Sequence, residues 1–153
     1  MADAFRLEEL DRQIALVTFD LPGKKVNTLG QAVLMELAEL VGRLGRRNDL
    51  RGLLFRGKPG HFVAGADLNE LGALAFAPKE EVVKGVTFGH LLFGKISRLP
   101  FPTVALIDGH CMGGGTELAL AMDERIASTH HHTRIALPEV KIGLLPAWGG
   151  RSG

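Results

Sequence analysis

What most constrains this chain is where its glycines fall. Of 153 residues 20 are glycine, nearly twice the roughly 7% usual in soluble proteins. They gather in short clusters beside apolar runs instead of spreading along a linker. Glycine in such places serves backbone that turns sharply or approaches another group closely. The apolar runs beside the clusters read as strands. Gln13–Asp20 is rich in β-formers and closes on Pro22-Gly23, Leu53–Phe55 lies between Gly52 and Gly57, and Thr103–Ile107 runs on towards Gly113-Gly114-Gly115.

Helical spacing fills the intervals. Thr28 and Gln31 stand at the spacing of a capping box, and Val33, Leu34, Leu37, Leu40, Val41 and Leu44 follow on one face. Pro78 opens a second helix with Val82, Val86, Phe93 and Ile96 on one stripe, ended by Pro100. A further helix is predicted around Glu117–Met122. Strands alternating with helices predict an α/β layer with parallel pairing and right-handed crossovers. Glycine-rich turns at strand ends are where such sheets hold ligands.

Length and charge narrow the class. A chain of 153 residues supports one buried core and not two ordinary domains. With 18 Lys+Arg against 17 Asp+Glu, it lacks the basic excess of a nucleic-acid binder. The lone cysteine, Cys111, excludes an internal disulfide and fits a reducing compartment. No apolar run approaches the roughly 18–20 residues of a membrane helix, and the acidic N-terminus does not read as a signal peptide.

Three segments can carry chemistry. In Gly113-Gly-Gly-Thr-Glu117-Leu, a tight turn meets a predicted helix start, whose unpaired N–H groups would favour an oxygen gaining negative charge. Glu117 brings a carboxylate to the same spot, although a plain turn with a dipole-stabilising acid suits the same letters. His61-Phe-Val-Ala64-Gly-Ala66-Asp67-Leu offers a second small-residue turn, which reads equally as a loop with Asp67 capping the next helix. In Pro138-Glu139-Val-Lys-Ile-Gly143-Leu-Leu-Pro146-Ala-Trp148-Gly-Gly150, Glu139 sits among apolar neighbours. A carboxylate there can exchange protons near neutral pH, or be an ordinary loop acid.

Together these segments resemble the crotonase (enoyl-CoA hydratase/isomerase) superfamily. Its signatures are a turn ending Ala-Gly-Ala-Asp, then Gly-Gly-Gly-x-Glu-Leu, then Pro-Glu with a Gly-x-x-Pro-x-x-Gly-Gly stretch. Ala64–Asp67, Gly113–Leu118 and Pro138–Gly150 match in that order, and Lys25-Val26-Asn27-Thr-Leu29 resembles the N-terminal CoA-contacting stretch. The wording is nearest to hydratase domains of multifunctional fatty-acid β-oxidation proteins.

The resemblance implies a fold, an α/β crotonase (ClpP-like) spiral of ββα units. It also implies that residues 1–153 form the N-terminal core of an acyl-CoA-binding domain, truncated before the C-terminal helical region, with apolar surface left exposed. By the same analogy the backbone N–H groups of Ala66 and Gly114 form an oxyanion hole for a thioester carbonyl. Glu117 and Glu139 are the catalytic acids that hold a water, while Lys25, Val26, Asn27, Phe62, Ala64, Gly65, Asp67 and Gly113 line the path of CoA and substrate. The implied reaction is syn hydration of a 2-trans-enoyl-CoA in fatty-acid β-oxidation, with Δ3-Δ2-enoyl-CoA isomerisation or a non-catalytic acyl-CoA-binding fragment as alternatives. No metal or other cofactor follows, because CoA enters as part of the substrate. The expected setting is a homo-oligomer or part of a larger multifunctional chain, in a bacterial cytoplasm or a mitochondrial matrix, with no nucleic acid and no membrane span.

The remaining candidates have plainer explanations. His130-His131-His132 lacks a second ligand set at zinc spacing, and Cys111 reads as a small core residue. Asp123 reads as structural, and Arg43, Arg46, Arg47 and Arg51 as a solvated basic face.

Overall fold

The computed structural model describes residues 2–149, so Gly150 of the last motif and Arg151–Gly153 lie outside the described residues. Eight strands and four helices alternate along the chain: β1 (Phe5–Leu10), β2 (Ile14–Phe19), α1 (Gln31–Leu44), β3 (Gly52–Arg56), β4 (His61–Val63), α2 (Leu68–Leu74), α3 (Lys79–Ser97), β5 (Thr103–Ile107), β6 (His110–Met112), α4 (Gly114–Leu120), β7 (Glu124–Ala127) and β8 (Arg134–Ala136). They make two sheets. One has the order β1-β2-β3-β5-β7 and is parallel except for the β1–β2 hairpin; the other, β4-β6-β8, is parallel throughout. From β3 onward each pair of consecutive strands places one member in each sheet, and helices join the pairs where the chain crosses back. The expected spiral of ββα units is the architecture observed.

β2, rich in β-branched and aromatic residues, is buried from Ala15 to Phe19, as a strand covered on both faces must be. α1 turns the six apolar residues predicted for its stripe into the core. Its cap differs from the expected box. Gly30 is the N-cap residue and gives no side-chain bond, and Glu70 of α2 accepts from Gln31 N at 2.7 Å instead. A carboxylate at a helix start satisfies an orphan donor and the dipole together, so a tertiary contact does here what Thr28 was expected to do.

α3 begins after Pro78 as expected and buries Gly89, Leu92, Phe93 and Ile96. Its predicted stripe holds only at the C-terminal end, since Val82 is half-buried and Val86 exposed where no described element covers that half. α4 starts three residues before the predicted Glu117, directly on the glycine cluster, and is buried from Gly114 to Ala119. Ile126, Ile135, Val140, Ile142, Leu144 and Leu145 are exposed. Among the described residues no helix is long and apolar enough to cross a membrane.

Candidate active site

The segments Asn27–Leu29 and Ala64–Asp67 run side by side. Ala64 N donates to Asn27 O at 2.8 Å, Leu29 N to Gly65 O at 2.8 Å and Asp67 N to Leu29 O at 3.4 Å, with Leu29 and Ala66 as parallel bridge partners. In such a bridge Leu29 sits between the groups flanking Ala66, so Ala66's own N–H points to the opposite side. Beside it lies the turn from β6 into α4. Gly65 faces the main-chain oxygen of Met112, and Leu29 Cδ1 reaches to 3.3 Å from where a β-carbon on Gly114 would stand. Gly114 is the first residue of α4, where an N–H has no partner within the helix. Leu29 thus neighbours Ala66 through its backbone pairing and Gly114 through its side chain.

Both glutamates contact the same turn, Glu117 through its main-chain N–H and Glu139 through its side chain. Gly113 has φ +53° and ψ −121°, a conformation that suits only glycine. Its N–H donates to Ala136 O at 3.0 Å, and its carbonyl accepts from Glu117 N at 3.0 Å. Glu117, on the first turn of α4, is only 3% exposed, and its Oε1 accepts from Trp148 N at 2.8 Å. Glu139 opens a 3-10 turn, Glu139–Ile142. Its Oε1 lies 3.0 Å from the position of a β-carbon on Gly113, and its Oε2 is buried with no hydrogen-bond partner among the described residues. Glu117 is buried and Glu139 half-buried, and carboxylates shielded in this way can serve to hold and move a proton. Trp148 is the residue of this site to which the sequence reading gave no role. Its signal was present only as one letter of the last motif.

The other expected residues are placed as follows. Asn27 and Phe62 are fully buried. Asn27 Nδ2 donates to Phe19 O at 2.7 Å and Phe62 O at 3.0 Å, while Oδ1 accepts from Leu21 N at 2.9 Å. The Phe62 ring meets Phe55 edge-on, 6.0 Å between centroids. Both side chains are therefore core residues, and only backbone at these positions is left to face outward. Asp67 caps α2, accepting from Asn69 N at 2.9 Å and Glu70 N at 3.2 Å. Lys25 is exposed and Val26 half-buried at the outer end of the same path.

The structure also places the residues that read as structural or solvated. Cys111 is buried beside Thr116, and burial pushes its thiol up to about 11, against the smaller effect of the Thr116 hydroxyl. Asp123 accepts from Thr103 N at 2.8 Å, which ties the end of α4 to β5. Arg47 pairs with Glu9 and Asp49, while Arg43, Arg46 and Arg51 are exposed. His132 Nε2 lies 3.5 Å from Asp108, and among the described residues no group of three or more His, Cys, Asp or Glu is placed to hold a metal ion.

The family model described as enoyl-CoA hydratase/isomerase matches residues 9–152. The chain belongs to the enoyl-CoA hydratase/isomerase family. Its curated relatives in that family include the fatty acid oxidation complex subunit alpha of Idiomarina loihiensis, 40% identical over 148 residues, which are 96% of this chain and 21% of that one. Among solved structures, DspI of Pseudomonas aeruginosa is 34% identical with a TM-score of 0.84 over 98% of this chain and 59% of its own. An enoyl-CoA hydratase from Bacillus anthracis is 28% identical with a TM-score of 0.86 over 98% and 56%. The chain thus spans about a fifth of that curated relative and a little over half of each solved one. Ala66, Gly114, Glu117 and Glu139 all lie within the matched residues.

Proposed function

We propose that the chain carries the hydration site of an enoyl-CoA hydratase, adding water syn to a 2-trans-enoyl-CoA to give the 3-hydroxyacyl-CoA in fatty-acid β-oxidation. The observation that supports this reading is that the Glu139 carboxylate and the Glu117 main-chain N–H both contact Gly113, while the Glu117 carboxylate is held by Trp148 N, whose ring covers Gly114. The thioester oxygen would accept from Ala66 N and Gly114 N, which stabilise the negative charge it gains as C3 is attacked. Losing one such donor typically costs about 10²–10³ in rate. A water held by the two acids supplies the oxygen. One carboxylate takes its proton as the C3–O bond forms, and the other, protonated, delivers a proton to C2 on the same face. The pair then resets by exchange with solvent.

The substrate is an acyl-CoA thioester, and the chemistry asks for no metal or redox group because CoA comes with the substrate. The setting that goes with this reading is a homo-oligomer or a stretch of a larger multifunctional chain, in a bacterial cytoplasm or a mitochondrial matrix. The family description also covers isomerases. A Δ3-Δ2 shift needs a single acid to move a proton between C4 and C2, so two acids at one turn favour hydration.

Crotonyl-CoA hydration, followed as loss of the conjugated thioester absorbance, tests the reading. Glu117→Gln and Glu139→Gln are each expected to lower kcat by about 10²–10⁴ while butyryl-CoA still binds. Undiminished hydration in either variant ends the two-acid assignment. Turnover of 3-enoyl substrates alone would make the site an isomerase, and binding without turnover would make the chain an acyl-CoA-binding module.

A further inference from the structure

The indole of Trp148 fills the angle between α3 and α4. Its Cζ3 lies 2.8 Å from where a β-carbon on Gly114 would stand, and its Cε2 lies 2.5 Å and Cδ1 2.6 Å from the corresponding point on Gly89. Phe93, one turn beyond Gly89 on α3, meets the ring edge-on with 5.6 Å between centroids. Two helices offer bare backbone at the contact, and the ring is wedged between them. The same residue's main-chain N–H holds Glu117 Oε1. Trp148 is therefore fixed twice, its ring in the packing and its backbone at a candidate catalytic acid.

If a thioester oxygen rests on Gly114 N and its C2 and C3 lie beside Glu117, the carbons beyond C3 run towards the ring that covers Gly114. We infer that Trp148 sets the length of acyl chain the site accepts, closing the pocket beyond the reacting carbons so that short acyl groups are preferred to long ones. This rests on the hydration reading for the placement of the thioester. Removing the ring opens a channel walled by Gly89, Phe93 and Leu29, into which further methylenes can be buried. Each buried methylene strengthens binding about fourfold, so a few suffice to change the preference.

Titration calorimetry of the full chain with butyryl-, octanoyl- and dodecanoyl-CoA reads the pocket without chemistry, because saturated thioesters cannot be hydrated. In the unaltered protein affinity is expected to level off with chain length. Trp148→Ala, and Trp148→Leu, which keeps more apolar volume and the main-chain bond to Glu117, are expected to raise the dodecanoyl-to-butyryl affinity ratio at least about tenfold. Circular dichroism checks that both variants fold. A ratio unchanged in the folded variants, an equal loss at all three lengths, or unaltered protein that gains steadily with length would each overturn the inference. If the length effect is present but 2-enoyl thioesters are not hydrated, the hydration reading fails and the role of Trp148 stands. Absence of binding to any of the three overturns both.

Discussion

Glu139 and Gly113 share one small space: Glu139 Oε1 lies 3.0 Å from the point a β-carbon on Gly113 would occupy, and Gly113 holds a backbone conformation open only to glycine. Gly113→Ala would both strain the turn, by about 1–3 kcal/mol, and push the carboxylate aside. Misplacing a reacting group by about 1 Å can cost about 10² in rate. We expect kcat for crotonyl-CoA to fall by about that factor with a smaller change in butyryl-CoA affinity. Steady-state kinetics paired with calorimetry checks this, and equal losses in both would mean that the turn merely collapses.

Asn27 ties together the backbone at Phe19, Leu21 and Phe62. Asn27→Leu leaves Phe19 O, Phe62 O and Leu21 N without the amide that bonds them, each at a cost of about 1–3 kcal/mol. Urea unfolding is expected to show a loss of at least about 3 kcal/mol. A loss well below 1 kcal/mol would mean that water replaces the amide.

His61 gives the fold an acid-side weakness. Desolvation first, and then the neighbouring His110, Lys25, Lys58 and His132, hold it below the ordinary histidine value of 6.5. The folded state therefore binds its proton less readily than the unfolded chain, and stability falls as pH drops below about 6.5 towards the lowered value. Melting temperatures at pH 7.5 and 5.5 are expected to differ more for the unaltered protein than for His61→Gln. An identical difference in both would assign the acid sensitivity elsewhere.

Cys111 should behave as a core residue. With its thiol at about 11, only about a thousandth is thiolate at pH 8, and the side chain is buried. A thiol reagent at pH 8 is expected to label it only after denaturant is added. Fast labelling of the folded protein would show that the β6–α4 junction opens readily.

The sequence made some of these features legible and hid others for physical reasons. The α1 stripe shows because fourteen residues give a helical period room to repeat, and the glycine cluster shows because few backbones need it. β4 and β6 span only three residues each, too few for alternation to emerge, and their segments read as turns. β1 stayed hidden because its hairpin turns through Arg12 and Gln13, both with positive φ, where the expected signal is Asn-Gly or Asp-Gly. The cap on α1 comes from Glu70, far along the chain, and no local pattern encodes it. Glu117 and Glu139 stand out as letters of ordered motifs, whereas Trp148 becomes significant only once Gly89 and Gly114 are seen to make room for it.

The alternation of strands between the two sheets governs how damage and growth spread through this molecule. Each winding is laid against the one before it, as thread is laid on a bobbin, so a lesion in the β7–β8 winding loosens its neighbour first and the β1–β2 hairpin last. For the same reason a longer crossover lengthens one loop of the thread and leaves the alignment of earlier windings intact.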